Sequence, residues 1–447
     1  MPKKVNVDEL LAKAEKPKEL AMKYHSFYRG KIEVELKVPI NTFEDFSIWY
    51  TPGVAEPCKV IRENRDAAFE YTSKWNFVAV VTDGTRVLGL GNIGPEAGLP
   101  VMEGKALLFK YLGGVDAFPI CLGTKNADEI IKAVKWLAPT FGGINLEDIE
   151  KPKCYHILER LREELDIPVW HDDQQGTALV TLAGLISALK VVGKKLGEVK
   201  IAMIGAGAAN INVAKYFMIA GVKAENIIMV DSKAILHKRR LDVKEEDPAK
   251  WEICQNTNAE DKTGGIAEAL DGADACIAYS RPVPGTIKKE WISRMADKAI
   301  VFAGANPIPE IWPWDAKEAG AKIVATGRSD FPNQVNNSVG FPAIFRGTLD
   351  VRAKKITDEM CIAAAYAIAD YAERKGIHED YIMPTMGETD VFIEEALAVG
   401  LKAMEQGIAR RKISKQELRI EVSSNLERAK KITKLLMKEK IIPPPPK

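Results

Sequence analysis

The stretch VKIAMIGAGAAN, residues 199–210, decides the fold of the second half of the chain. An apolar run leads directly into a glycine-rich turn, and helix-forming residues follow. Gly205 permits a tight turn, Gly207 lets the backbone approach a ligand, and the first turn of the helix offers free N–H groups to phosphates. Asn210 replaces the third glycine of the usual fingerprint, so we expect looser packing of the helix on the strand. The pattern favours dinucleotide binding, although a structural glycine turn has the same spacing.

The next apolar run, NIIMVD, ends at Asp231, whose carboxylate is suited to accept a hydrogen bond from an adenosine ribose hydroxyl. Asp231 would repel a 2′-phosphate, whereas Ser232, Lys233 and the basic cluster 237–240 could hold one. That cluster is equally compatible with a solvated loop, so the choice between NAD and NADP stays open. The residues predicted to contact the dinucleotide from this pattern are Gly205, Ala206, Gly207, Ala208, Ala209 and Asp231.

Strand-like and helix-like segments alternate from residue 199 onward, which predicts a parallel sheet covered by helices. Upstream, FVAVVTDG at 77–84 and IPVWHDD at 167–173 indicate strands of a second α/β region. The alternating run IEVELKV at 32–38 predicts a half-buried strand. Residues 7–30 and most of 357–437 have helical patterns.

We therefore expect an α/β protein with three parts. An N-terminal α/β domain is predicted for residues 1–175, and a Rossmann-like, doubly wound nucleotide-binding domain for residues 176–400. A helical C-terminal segment with a proline-rich tail is predicted for residues 401–447.

Two acidic pairs lie outside the nucleotide-binding pattern. Glu147 and Asp148 occur in GGINLEDI, and Asp172 and Asp173 in VWHDDQQG, each after a glycine-rich loop or a strand end. Adjacent acids are usually surface charge, but Asp173 follows the apolar run IPVW, where burying an unpaired carboxylate would be costly. Mg²⁺ and Mn²⁺ prefer several oxygen ligands, so the two pairs together form a candidate metal site.

Several segments together resemble the malic enzyme family in its short bacterial and archaeal form. They are WYTPGVAEPC (49–58), DGTRVLGLGNIGPEAGLPVMEGKALLFK (83–110), PTFGGINLEDI (139–149), IPVWHDDQQGTA (167–178), GAGAAN (205–210), ANPIPEI (305–311) and GRSDFPNQVNNSVGFPAIFRG (327–347). They run in family order across nearly the whole chain, and their combination is far more specific than any one motif. The departures, such as Trp49 before Tyr50, remove no group with an implied catalytic role.

The resemblance implies oxidative decarboxylation of (S)-malate to pyruvate and CO2, with NAD or NADP and with Mg²⁺ or Mn²⁺, and also decarboxylation of oxaloacetate. It implies that Tyr50 is the general acid, Lys105 the general base and Asp172 an acid that supports the lysine. The implied metal ligands are Glu147, Asp148 and Asp173. The implied substrate-binding residues are Arg86, Asn306 and Asn337, of which Asn306 also touches the nicotinamide ribose. A lysine base must be neutral, a state that we expect burial and nearby positive charge to promote.

The amino-acid composition limits the classes of binding partner and the cellular compartment that we expect. The 447 residues carry 63 Lys and Arg against 62 Asp and Glu, so no overall field favours nucleic acid or a membrane surface. Six scattered cysteines and a charged N-terminus without an apolar core predict a reducing cytoplasm and no secretory signal. The apolar stretches are interrupted short of the roughly 20 residues of a membrane span.

By family analogy we expect a homodimer or a higher homo-oligomer, with active sites that take groups from both subunits. Three alternatives stay open: another metal-dependent hydroxy-acid decarboxylating dehydrogenase, with tartrate as a substrate that the residues do not exclude; a malolactic-type enzyme that produces lactate without net cofactor reduction; and a nucleotide-binding regulatory or scaffold protein on the same fold. The presence of Tyr50, Lys105 and the metal-site carboxylates argues against the last.

Overall fold

The computed structural model describes residues 7–283 and 285–446. Residues 1–6 of the charged N-terminus and Lys447 of the tail lie outside the described part. The strands are β1 (Phe77–Thr82), β2 (Asp116–Cys121), β3 (Gly143–Leu146), β4 (Val169–His171), β5 (Ile201–Ile204), β6 (Ile227–Val230), β7 (Ala275–Ala278), β8 (Ile300–Ala303) and β9 (Ile323–Thr326).

The helices of the first half are α1 (Val7–Tyr28), α2 (Asp45–Trp49), α3 (Ala55–Glu63), α4 (Ala68–Tyr71), α5 (Pro95–Gly113), α6 (Ala127–Leu137), α7 (Lys153–Glu164) and α8 (Thr177–Val192). Those of the second half are α9 (Ala208–Ile219), α10 (Asp242–Glu246), α11 (Pro248–Asn256), α12 (Ile266–Leu270), α13 (Lys289–Ile292), α14 (Pro313–Glu318), α15 (Phe341–Asp350), α16 (Asp358–Lys375), α17 (Thr389–Glu405) and α18 (Lys415–Lys438). Short 3₁₀ turns span Arg65–Ala67, Ser73–Trp75, Ala224–Asn226 and Asn337–Val339.

Within the described residues, the first sheet is parallel with strand order β2-β1-β3-β4. Its central strand β1 is apolar on both faces, as expected for a parallel strand covered on both sides. Val78 and Val80 face one core, and Ala79 and Val81 face another. Because β3 and β4 are neighbours and run in the same direction, the residues that follow them meet at one edge of the sheet.

The second sheet, in the same described part, is parallel with order β6-β5-β7-β8-β9. The chain moves outward from β5 to β6 and then returns to the other side of β5 as β7. This reversal creates a switch point at the carboxyl ends of β5 and β7, which is where ligands bind in doubly wound folds. The predicted α/β fold with a Rossmann-like sheet is therefore confirmed.

A shared core lies between the two sheets. It joins β1 and Trp170 to α8, β5 and the C-terminal helices. The span Asp172–Val192 is long and apolar enough to cross a membrane by composition, but 83% of its most apolar window is buried inside the protein. It is a central core helix, and α9 and α16 pack against it. The C-terminal helices α15, α17 and α18 pack on one another and return to α5.

Two of the sequence-based predictions of secondary structure are wrong. Residues 32–38 form no strand, and no residue from 17 to 66 is buried among those that the structure describes. An alternating pattern forms a strand only with a pairing partner, and this run has none within the described chain. The amphipathic run LEDIEKPKCYHILERLREEL, residues 146–165, predicts one helix, but α7 begins only at Lys153, after Pro152. Residues 146–149 instead end the buried strand and form the acidic turn.

Candidate active site

Three carboxylates converge at the edge where β3 and β4 end. Glu147 and Asp148 follow β3, and Asp173 follows β4. One oxygen of each carboxylate lies within 4.8 Å of the others. The Asp148 N–H donates to Asp173 Oδ2 at 2.9 Å, which joins the two strand ends directly. The two acidic pairs of the sequence thus meet at one place.

The energetics of this acidic cluster favour a bound cation. Burial and the neighbouring Asp173 carboxylate raise the pKa of Asp148 to about 8. Burial raises the pKa of Glu147 well above its usual value as well. Asp148 Oδ2 is buried without a hydrogen-bond partner in the described residues, and Asp148 has the unfavourable backbone angle φ 54°. A hard divalent cation such as Mg²⁺ or Mn²⁺ fits these observations. It would neutralise the repulsion between the carboxylates and would bind the oxygen of Asp148 that has no hydrogen-bond donor.

Lys105 reaches the acidic cluster from the middle of α5. Its Nζ lies 2.6 Å from Asp172 Oδ2, 3.0 Å from Glu147 Oε1 and 4.1 Å from the centre of the Phe341 ring. The residue is only 8% exposed. Burial alone would lower the Lys105 pKa, but the two carboxylates outweigh it and raise that pKa above its usual value. The groups beside Lys105 are therefore acids, and not the cations that would favour a neutral lysine.

Asp172 accepts three hydrogen bonds at the centre of a buried hydrogen-bond network. Its Oδ2 accepts hydrogen bonds from Lys105 and from Asn337 Nδ2, and its Oδ1 accepts one at 3.1 Å from Trp170 Nε1. The five residues Asp172–Gly176 form a single π-helical turn, an irregularity often found at functional sites. A Cβ on Gly176 would lie 2.2 Å from Asp172 Oδ1, so only glycine fits there.

Trp170 and Phe341 were missed at the sequence level. Both belong to the quoted segments but have the apolar character of core residues, so their pattern contains no signal of a polar role. The alternation in IPVWHDD does place Trp170 on the same face as Asp172, which is the only hint of their contact.

Arg86 and Asn306, two of the predicted substrate-binding residues, lie in exposed loops. The Arg86 side chain is exposed and donates to Leu88 O at 2.8 Å, while its backbone N–H donates to Asp148 O at 2.9 Å. Asn306 is exposed in the loop after β8 and packs against Gly327. Arg86 thus contacts the acidic cluster through the Asp148 backbone, Asn337 contacts Asp172, and the Asn306 carbonyl lies near Gly89 of the loop that follows Arg86.

Tyr50 is not part of this constellation within one chain. It follows α2, its side chain is 72% exposed, and its hydroxyl has no hydrogen-bond partner among the described residues. The remaining predicted catalytic groups, Lys105 and Asp172, are in direct contact with each other.

The glycine-rich turn adjoins the acidic cluster. Lys151 Nζ lies 3.3 Å from Ala206 O, and Asn212 of α9 donates to Gln174 Oε1 at 3.2 Å. Gly205 has φ 100°, and a Cβ on it would lie 2.5 Å from Tyr279 O of the loop after β7. The space beside Gly207 is open, as backbone approach by a phosphate requires. Ala208 and Ala209 form the first turn of α9.

Asn210 tightens the turn, contrary to the expectation of looser packing. It is fully buried, and its Nδ2 donates to Ile204 O at 3.0 Å and to Gly205 O at 2.8 Å. The side chain therefore ties α9 to the end of β5, where a glycine would make no such bond.

Asp231 directly follows β6, and several hydrogen-bond donors surround its carboxylate. Its Oδ1 accepts hydrogen bonds from the backbone N–H groups of Lys233 and Ala234, and Arg240 Nη2 lies 2.9 Å from Oδ2. Although burial opposes it, the Arg240 guanidinium helps to hold the Asp231 pKa below its usual value. Arg240 also pairs with Asp242, so this member of the basic cluster is neither solvated nor free to bind a phosphate.

Comparison with known proteins agrees with this geometry. Residues 29–162 match the family model of the malic enzyme N-terminal domain, and residues 174–405 match that of the malic enzyme NAD binding domain. A protein of Bacillus subtilis described as a bifunctional malic/malolactic enzyme is 50% identical over 90% of this chain and 96% of its own. An NAD-dependent malic enzyme of Geobacillus stearothermophilus is 51% identical over 86% of this chain and 78% of its own.

Solved structures give the same result. The crystal structure of the Entamoeba histolytica malic enzyme has a TM-score of 0.95 and 49% identity, covering 99% of this chain and 93% of its own. That of the Pyrococcus horikoshii malic enzyme has a TM-score of 0.90 and 51% identity, with 95% and 99% covered. With both domain models matched and relatives aligned over nearly its whole length, the chain belongs to the malic enzyme family.

Proposed function

We propose that this chain oxidatively decarboxylates malate to pyruvate and CO2 with reduction of NAD or NADP. The observation that carries the proposal is the contact between three features. A cluster of three carboxylates, a buried lysine–aspartate pair and a glycine-rich turn at a strand switch point adjoin one another. Family membership supports the same reaction.

Each group has a distinct role in this proposal. Glu147, Asp148 and Asp173 would hold a divalent cation, which when bound polarises the C2 oxygen of the substrate. The glycine-rich turn with Gly205 and Gly207 would hold the nicotinamide cofactor, which when bound would supply the acceptor for the C2 hydride. Lys105 takes the C2 hydroxyl proton, and Asp172 orients the lysine through the 2.6 Å contact.

Lys105 can act as a base only after it has lost its proton. Its two carboxylate partners oppose this loss, and a divalent cation on Glu147 would offset their charge. Arg86, Asn306 and Asn337 hold the carboxylates of the substrate, and Asn306 also contacts the nicotinamide ribose. Tyr50 donates the proton that C3 receives after CO2 has left.

We further propose a homodimer in which Tyr50 acts in the site of the partner copy. The support is the surface of the N-terminal segment 17–66, which has no buried residue within the described chain. Its exposed apolar side chains are Met22, Phe27, Ile32, Val34, Leu36, Ile40, Phe43, Phe46, Ile48, Trp49, Tyr50, Val54 and Val60. An apolar surface of this extent marks an interaction site, and a second copy would cover it while bringing Tyr50 to Lys105.

We also propose domain boundaries and a cellular location. The division at residues 1–175, 176–400 and 401–447 places the first sheet in the first part and the second sheet in the second part. A cytoplasmic location fits the six cysteines, all of which are free thiols.

The direct test of the reaction measures the absorbance of reduced nicotinamide cofactor after malate is added. NAD and NADP are tested separately, each with and without Mn²⁺. We expect reduced cofactor to appear only when Mn²⁺ is present. Lactate formation without net reduction would favour the malolactic alternative, which the Bacillus subtilis relative makes a specific second candidate. Turnover of tartrate but not of malate would contradict the proposed substrate.

A further inference from the structure

Glu310 is a buried acid that the proposed chemistry does not use. It is 0% exposed and follows β8 in the segment ANPIPEI. Its Oε1 accepts hydrogen bonds from Ser280 N at 2.7 Å and from Ser280 Oγ at 3.1 Å. Its Oε2 accepts one from Ala305 N at 3.1 Å. One carboxylate thus joins the loop after β7 to the loop after β8.

Arg328 makes a second connection from the loop after β9. Its Nη1 donates to Pro307 O at 2.8 Å, and its Nε and Nη2 donate to the two carboxylate oxygens of Asp330 at 2.8 and 2.6 Å. The guanidinium lies 5.5 Å from the centre of the Phe331 ring. Because the guanidinium is planar and held on three sides, its bond to Pro307 has a fixed direction.

The two connections flank a single residue. Glu310 holds the N–H of Ala305, Arg328 holds the carbonyl of Pro307, and Asn306 lies between them. A Cβ on Gly327 would lie 2.5 Å from Asn306 Nδ2, so the Asn306 amide also packs closely on the β9 loop. All three loops leave the carboxyl edge of the second sheet, where the dinucleotide cleft lies.

We propose that Glu310 and Arg328 are positioning residues that fix Asn306 toward the substrate and the nicotinamide ribose. The inference rests on the proposed function, because Asn306 binds substrate and nicotinamide ribose only if the protein carries out that reaction. Burying an acid is costly, and the hydrogen bonds of Glu310 offset that cost only while the β7 and β8 loops keep their present spacing. Asn306 itself is exposed, so its position depends on the backbone on either side.

The test uses Glu310→Gln and Arg328→Lys in the full-length protein. A glutamine offers one acceptor oxygen, so its NH2 group must face the N–H of either Ser280 or Ala305. A lysine in place of Arg328 lacks the planar guanidinium, so it cannot bond Pro307 and both Asp330 oxygens in the same geometry. We expect kcat/KM for malate oxidation to fall about 10- to 100-fold in each variant, since small misplacements of a positioning group have effects of this size. The matched controls, which should keep wild-type kinetics, are Glu388→Gln and Arg411→Lys.

These controls make comparable bonds in the C-terminal helical part, although Glu388 is only partly buried and also accepts a hydrogen bond from the Tyr381 hydroxyl. Glu388 accepts from the N–H and hydroxyl of Thr385, and Arg411 pairs with both Glu421 oxygens and with Asp350 O. Equal losses in the controls and in the test variants would overturn the inference. So would wild-type kinetics in both Glu310→Gln and Arg328→Lys.

A double-mutant cycle with Asn306→Ala separates positioning from general stabilisation. If Glu310 and Arg328 act through Asn306, their substitutions should add less than about threefold to the loss that Asn306→Ala alone causes. Full multiplication of the two losses would overturn the proposal, because the residues would then act independently of Asn306. A wild-type protein that does not oxidise malate would instead contradict the proposed function, before any variant is compared.

Discussion

At the scale of single residues, the two proposed proton-transfer groups lie in opposite environments. Lys105 is buried, and two carboxylates and an aromatic ring fix its ammonium in place. Tyr50 is exposed on a segment that has no buried residue within the described chain. A general acid must be within hydrogen-bond reach of the carbon or oxygen that it protonates, so the proposed role of Tyr50 depends on the proposed approach of a second copy.

Tyr50→Phe removes the proposed acid and leaves the rest of the site intact. We expect malate decarboxylation to fall by about 10²–10⁴-fold, while reduction of oxaloacetate is better retained because it needs no proton at C3. Steady-state assays of the two reactions measure this difference. Full malate decarboxylation by the variant would show that Tyr50 is not the acid.

Mixing Tyr50→Phe with Lys105→Ala tests whether the site is shared between copies. In a hybrid dimer, one of the two sites would contain both wild-type residues if Tyr50 crosses to the partner. Activity should therefore return after the two inactive proteins are unfolded, mixed and refolded. No recovery from a mixture that has re-formed dimers would contradict the shared site.

Glu395 on α17 supplies a prediction about pH. It is fully buried, neither oxygen has a hydrogen-bond partner within the described residues, and burial raises its pKa well above the usual value. The folded state therefore keeps the proton that the unfolded chain releases above about pH 4.3. The resulting stability is full below that pH and is lost as pH rises toward the folded-state pKa.

Glu395→Gln should remove this loss. We expect the unfolding temperature of the variant, relative to wild type, to increase as pH rises from about 4 to about 7. The adjacent Glu394→Gln, which weakens the ion pair of Glu394 with Arg419, is the control for an acid that is only partly buried. A constant difference between Glu395→Gln and wild type over this range would contradict the prediction.

At the scale of elements, the buried strands were predictable because their apolar runs are covered on both faces. β1, β4 and β5 lie where the sequence indicated, as does the glycine-rich turn. Residues 32–38 were predicted wrongly, since alternation shows where apolar side chains point but not whether a neighbouring strand exists. Segment 17–66 of one chain offers no buried position for them.

The candidate site was predictable to a similar degree. The parallel order of β3 and β4 brings the two acidic pairs together, and the sequence motifs named both pairs. The charge state of Lys105 could not be predicted, because it depends on which side chains lie around Nζ. The roles of Asn210 and Glu310 depend on hydrogen bonds to loop backbone, for which local sequence has no pattern.

Asn210 gives the prediction at this scale. Asn210→Ala removes the two hydrogen bonds that tie α9 to the end of β5 and leaves the helix otherwise unchanged. We expect the free energy of unfolding to fall by about 1–3 kcal/mol. Urea unfolding monitored by circular dichroism measures it, and Asn212→Ala on the next turn serves as a comparison. Unchanged stability would mean that the bonds contribute nothing to packing.

At the scale of the whole molecule, the apolar N-terminal segment predicts self-association. Phe43 is 85% exposed and lies at the beginning of the short helical region before Tyr50. Phe43→Asp should shift the protein from dimer to monomer in sedimentation experiments and lower malate oxidation in parallel. Trp136→Asp on α6, at a side chain that is 71% exposed, is the matched control and should remain dimeric. A wild-type monomer with full activity would contradict the dimer.

The central claim is that acids from two strand ends form one cation site beside Lys105, and Mn²⁺ binding tests it most directly. Electron paramagnetic resonance of free Mn²⁺ measures the affinity of the wild type and of Asp173→Ala. We predict one Mn²⁺ per chain in the wild type and a loss of affinity of about 100-fold or more in the variant, since even outer-shell partners contribute 10- to 100-fold. Equal Mn²⁺ affinity in the two proteins would contradict the account.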